Sequence, residues 1–231
     1  MSTLYRSLTT TVSRAVVNHI KTHYTARIPE FRSEHKELLV IVTVGERTVS
    51  TIDPGEVLMA TYNSLSKTIH IELSVPIDLD NTWFAGFIPV FKRSFRHELE
   101  HFRQHKRSGD LSSEAMKPLL VVNDNFTGKP VRGPFVNLSG AVRYLLNPLE
   151  VEAHVLGIRT ESKYRKVKFH VALKEAVQKI ELDLTESGFQ EGKAKFVGKR
   201  VYETWGLYAL VRFPSLRPRR KLVRQPIGFR F

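Results

Sequence analysis

The chain has 231 residues, 42% of them hydrophobic, and 36 Lys and Arg against 23 Asp and Glu give it a formal charge of +13. That apolar share excludes a disordered or collagen-like chain, and the length suffices for one ordinary domain with a proper core. The absence of cysteine excludes a disulfide framework and any Cys-ligated zinc or iron–sulfur centre, and the charge predicts a polyanionic or acidic partner while saying nothing about fold.

The N-terminal stretch MSTLYRSLTTTVSRAVV lacks the apolar core of a secretory signal, and no run is long enough to span a membrane. Leu4 to Lys21 reads as an amphipathic helix, with Leu4, Leu8, Val12, Ala15 and Val16 at helical spacing. LLVIVTV, Leu38 to Val44, is a continuous apolar run and predicts a strand covered on both faces. Glu56 to Tyr62 predicts a weaker strand. Lys67 to Val75 alternates, with Ile69, Ile71, Leu73 and Val75 on one side, until Pro76 ends it.

From Pro89 to Lys106 the period becomes helical: Val90, Phe91, Phe95, Leu99 and Phe102 form one stripe, with Pro89 suited to the first turn. Asn123 to Gly140 holds three Gly and two Pro and reads as a long loop. Asn147-Pro148 opens a second helix, Leu149 to about Gly157. Further helices are predicted over Lys168 to Leu184 and Val201 to Val211. Strands first and helices after give an α+β class.

The chemistry concentrates in FRHELEHFRQH, where His97-Glu98-Leu99-Glu100-His101 fits H-E-x-x-H. Residues four apart lie one turn apart on one helix face, so two imidazoles can converge on one Zn²⁺. Glu98, beside the first of them, can take a proton from the water that the metal activates. His105 extends the ladder by a turn, and reads as a surface or outer residue because a further protein ligand would close the water's position.

Over about Lys67 to Gly157 the chain resembles a zincin metallopeptidase domain, specifically the gluzincin kind. Asn147 to His154 reads N-P-L-E-V-E-A-H, with Tyr144 four residues ahead of Pro148. Small phage and bacterial H-E-x-x-H proteins carry a similar Y…P-x-E-x-E-A segment. The resemblance implies a small antiparallel or mixed sheet whose Ile69–Val75 strand walls the cleft and pairs with substrate. It also implies zinc held by His97, His101 and a glutamate of the second helix. Glu150 is preferred for that role and Glu152 is the alternate, since Asn147 as N-cap would let Glu150 fold back as a capping-box residue. Ala153 would let the second helix approach closely. The Asp that often follows such an Ala is replaced by His154, and Arg96, Glu100 and Arg103 put charge around a motif that zincins usually flank with uncharged residues. Tyr144, His154 and Tyr208 are the candidates for stabilising an oxyanion.

The last twenty residues hold seven basic side chains and no acidic one, with Pro214, Pro218 and Pro226 disfavouring helix. A domain over residues 1–211 and a basic arm over Arg212 to Phe231 are therefore expected. The leading reading is a zinc-dependent peptidase acting on a peptide or protein substrate, cytoplasmic or virion-associated. The second is a structural or assembly protein, such as a phage virion component, that keeps the fold with little turnover. It would dock in a larger assembly through the arm, on an acidic protein or nucleic acid. A nucleic-acid-binding module rests on charge alone.

Overall fold

The computed structural model describes residues 3–24, 28–45, 58–76, 79–108 and 137–216. In chain order these form α1 (Thr3–His23), β1 (Phe31–His35), β2 (Leu38–Val44), β3 (Leu58–Asn63), β4 (Thr68–Leu73), α2 (Asn81–Ser108), α3 (Leu138–Leu145), α4 (Pro148–Tyr164), α5 (Phe169–Glu186), α6 (Glu191–Arg212) and a 3₁₀ turn at Pro214–Leu216. The class is α+β. Among the described residues no helix is long and apolar enough to cross a membrane.

The sheet order is β1-β2-β4-β3, with β2 and β4 parallel and both outer strands antiparallel to their neighbours. Strand β1 was not visible as a strand in the sequence, because FRSEH has one apolar residue. It exists through pairing with β2 across a tight turn in which Lys36 takes φ 57°. Strand β2 is not covered on both faces: Leu38, Val40 and Val42 are buried, and the residues between them are half-buried. The alternating strand β4 buries Ile69, Ile71 and Leu73, as its pattern predicts. It lies inside the sheet, however, so it has no free edge for substrate. The edge strand beside the motif helix is β3.

Helix α2 starts eight residues before the expected Pro89, because Trp83, Phe84 and Phe87 continue the buried stripe N-terminally. The Asp80 carboxylate accepts from the backbone N–H of Trp83 at 2.6 Å and caps the start. Pro89 consequently sits inside the helix, one backbone hydrogen bond being forgone there. Helix α4 runs seven residues past the expected end, and α6 starts ten residues early. Leu138 to Gly140, expected in a loop, begin α3, with Asn137 as its cap; residues 123–136 of that expected loop lie outside the described residues.

Of the expected arm, residues 212–216 are described. Arg212 ends α6, and Phe213 is buried beneath the Arg159 guanidinium, 3.7 Å from its ring centre. Burying an aromatic ring is worth about 1.5–3 kcal/mol, which holds this segment on the fold. Residues 217–231 lie outside the described residues.

Among the described residues two apolar cores form. One lies between α1, the sheet and α2, around Val16, Val40, Ile71, Phe91 and Phe95. The other lies among α3 to α6, around Leu145, Ile158, Leu184, Val201 and Trp205. The facing stretches of α2 and α4 run between them, close enough that a Cβ on Gly157 would meet the Arg93 carbonyl oxygen at 2.8 Å. Their shared surface is a buried polar seam of Glu98, Glu100, His101, Gln104, Glu150 and Glu152. Unpaired groups in such a place are costly, so each needs a partner or a purpose.

Candidate metal centre

On α2, His97, His101 and Gln104 stand at i, i+4 and i+7 and share one face. On α4, Asn147 caps the first turn by accepting from the Leu149 N–H at 2.9 Å, and Pro148 fills the first helical position. This makes Glu150 the third helical residue. It does not fold back to close a capping box. Its carboxylate crosses to α2 instead, with Oε2 3.2 Å from His97 Nε2 and Oε1 3.5 Å from His101 Nε2. Glu152, about 200° further round the helix, points to Arg103 at 2.8 Å. The two glutamates left open by the sequence thus have different surroundings, and only Glu150 meets the imidazoles.

His97 Nε2 and His101 Nε2 are 3.0 Å apart. His101 Nδ1 lies 2.9 Å from Gln104 Oε1, while Gln104 Nε2 donates to the Leu149 carbonyl at 3.0 Å. With its amide group committed to that carbonyl, Gln104 presents an acceptor to His101. A neutral His101 therefore carries its proton on Nδ1 and turns the Nε2 lone pair towards Glu150 and His97. Gln104, fully buried, was not singled out by the sequence; its signal was the third polar residue on the His97/His101 face.

His154, one turn after Glu150, brings Nε2 to 3.9 Å from Glu150 Oε2. Its ring stacks on Trp205 at 4.4 Å, and the Trp205 indole N–H donates to the Leu145 carbonyl. His154 Nε2 and Glu150 Oε2 are buried without a hydrogen-bond partner. Burial and the neighbouring His97 hold the His154 imidazole well below its ordinary range, which keeps it neutral. His97, Glu150 and His154 each offer a ligand atom within 4.8 Å of the others, and this buried group could hold a metal ion.

Electrostatics fit the same picture. Desolvation pushes the buried Glu98 carboxyl upward, partly offset by His97, His101 and a hydrogen bond from the Tyr62 backbone N–H. Desolvation opposes charge on His101, but the Glu150 hydrogen bond and the Glu98 and Glu150 charges outweigh it and raise the imidazole to about 9. Glu150 resists burial's upward push and is driven below its ordinary value by His101 and His97. In the metal-free protein a proton on His101 thus supplies the positive charge that this carboxylate needs.

The charges flanking the motif do not reach Glu98. Glu100, fully buried, accepts from Arg96 at 3.0 Å and also pairs with Arg103. Arg103 goes on to Glu152, so the chain of charges ties α2 to α4. Of the three oxyanion candidates, Tyr144 and His154 lie by Glu150, and burial and the Glu150 charge push the Tyr144 phenol well upward. Tyr208 lies with Glu152 on the far side. His105 meets the Tyr62 hydroxyl at 2.7 Å, joining α2 to β3.

The donors suit a borderline divalent cation: imidazole nitrogen and carboxylate oxygen, with a buried amide behind one imidazole. The three contacts among His97, His101 and Glu150, at 3.0, 3.2 and 3.5 Å, match the spacing of about 3.4 Å between ligands of a four-coordinate zinc with bonds near 2.1 Å. No protein-family model, no curated protein and no solved structure matches the chain.

Proposed function

We propose that this chain is a zinc-dependent peptidase of the zincin kind, with the metal held by His97, His101 and Glu150 and with Glu98 as general base. The observation that carries the reading is the set of three short donor–donor contacts between α2 and α4, made by the residues an H-E-x-x-H helix and a following glutamate helix would supply. Zinc there would supply Lewis acidity, acidifying water and polarising a carbonyl.

The chain's own groups do the rest. Glu98, its basicity raised by burial, takes a proton from water and returns it to the leaving amine nitrogen. Its bond from the Tyr62 N–H sets it beside β3, the sheet edge along which an extended peptide would pair. Tyr144 and His154 flank Glu150 and are the donors available to a developing oxyanion.

Casein cleavage by Glu98→Gln, with metal content measured alongside, tests this. Loss of turnover by about 10²–10⁴-fold at unchanged metal content supports the base assignment; unchanged cleavage sinks it. One observation favours a second reading, the buried and unpartnered His154 Nε2 beside His97 and Glu150. As a fourth ligand it would close the position water needs and leave a structural or assembly protein with a bound metal. In that case neither protein cleaves casein, and His154→Ala weakens metal binding as much as His101→Ala does.

A further inference from the structure

Away from the metal centre, α1, α2 and α4 enclose a cleft of about 380 Å³. Arg6, Lys92, Arg96, Arg159, Lys163 and Lys166 line it, and no carboxylate does among the described residues. Of the six cations, only Arg96 is in an ion pair among the described residues, through Nη2 to Glu100 at 3.0 Å. Its Nη1 is buried without a partner, in a residue only 4% exposed. The Arg159 Nε atom is also buried and without a hydrogen-bond partner, in a half-buried residue whose guanidinium lies over Phe213.

These charges repel one another. Burial, then the Arg159 and Arg6 charges, lower the Lys163 ammonium, and burial with Arg212 and Arg6 lowers the Arg159 guanidinium. Cations gathered without acids destabilise a fold by self-repulsion unless a ligand neutralises them. Arginine forks match phosphate oxygens, and lysines add point charges. The volume falls in the range of small-molecule pockets and is partly enclosed, unlike the extended stripe that tracks a nucleic-acid backbone.

We propose that this cleft binds a small ligand carrying a diphosphate group, drawn by the Arg96 and Arg159 guanidinium groups that line it, while Lys92 and Lys163 balance the remaining charge. The diphosphate could be inorganic or part of a nucleotide, and both present the same chemistry. The proposal does not depend on the metal centre.

Titration calorimetry of the full chain at physiological salt tests it, with inorganic pyrophosphate and ADP as separate ligands and a single-stranded oligonucleotide as competitor. Lys92→Gln/Lys163→Gln removes two cleft charges. Lys174→Gln/Lys193→Gln removes two exposed charges from α5 and α6 and serves as the equal-charge control. Circular dichroism confirms that both fold, and Arg159→Lys, which keeps charge but loses the fork, provides a milder cleft variant. One-to-one binding is expected in wild type and control, weakened about 100-fold in the cleft double variant and to a smaller degree in Arg159→Lys. Tighter ADP than pyrophosphate identifies a nucleotide as the source; equal affinity identifies the diphosphate alone. No binding to wild type, equal weakening in both double variants, or an oligonucleotide that displaces pyrophosphate and binds more tightly than it would overturn the proposal.

Discussion

Glu100→Ala is the sharpest probe of how α2 and α4 are held together. Glu100 is completely buried between Arg96, whose side chain is 5% exposed, and Arg103, at 24%. Removing the carboxylate leaves Arg103 its bond to Glu152 at 2.8 Å, so that residue loses little. Arg96 loses its one carboxylate. Orphaning a buried charge costs about 3–5 kcal/mol, and the lower end applies here because Arg96 borders a cleft that admits water. A cost of about 3 kcal/mol corresponds to a fall of roughly 6–12 °C in Tm for a chain of this size. Urea unfolding followed by circular dichroism at pH 7 measures it. Replacing the pair together, as Arg96→Met/Glu100→Leu, removes the charge problem and is expected to return stability to within about 1 kcal/mol of wild type. A single variant within about 0.5 kcal/mol of wild type would refute the claim that this ion pair is buried and uncompensated elsewhere.

Gln104→Leu removes the acceptor that orients His101; metal affinity is expected to fall about 10–100-fold with the fold intact, and unchanged affinity contradicts the tautomer argument. In the chelator-treated protein, His101 is raised from 6.5 to about 9, so its contribution to stability is complete below pH 6.5 and is lost as pH rises to 9. Glu150, lowered from its ordinary 4.5, contributes above that value, so the pair stabilises most between pH 4.5 and 6.5. Denaturant midpoints across pH 5–9 measure this, His101→Ala is expected to flatten the upper limb, and an unchanged limb in that variant assigns the loss elsewhere. Because metal and proton compete for His101, metal affinity is expected to rise over the same interval.

The motif helix was legible because two periods coincide on it: the aromatic stripe through Phe91 and Phe95 and the His97/His101 step. Asn147-Pro148 was equally plain as a helix start, but the preference for Glu150 came from the resemblance, and the cap itself left Glu152 open as the alternate. Strand order was not legible. Nothing local says that β4 lies inside the sheet and β3 at its edge, because that depends on which hydrogen-bonding edges meet. Pro89 misled for a physical reason: its preference for a first turn was overridden by Trp83, Phe84 and Phe87, whose burial outweighs one missing backbone bond. The charges around the motif left exposure and mutual pairing both open in the sequence; Arg96, Glu100 and Arg103 pair with one another, and Arg103 with Glu152 on another helix. Their cross-helix pairing, like the gathering of cations from α1, α2 and α4, exists only once the helices have packed.

The central claim is that Glu150, and not its neighbour two residues on, completes a metal site with His97 and His101. Zinc stoichiometry and affinity in Glu150→Gln and Glu152→Gln test it directly, since both substitutions remove one charge from the same helix. One zinc per chain in wild type and in Glu152→Gln, and loss of tight binding in Glu150→Gln, is the predicted result. Zinc retained at wild-type affinity in Glu150→Gln, or absent from wild type itself, would contradict it.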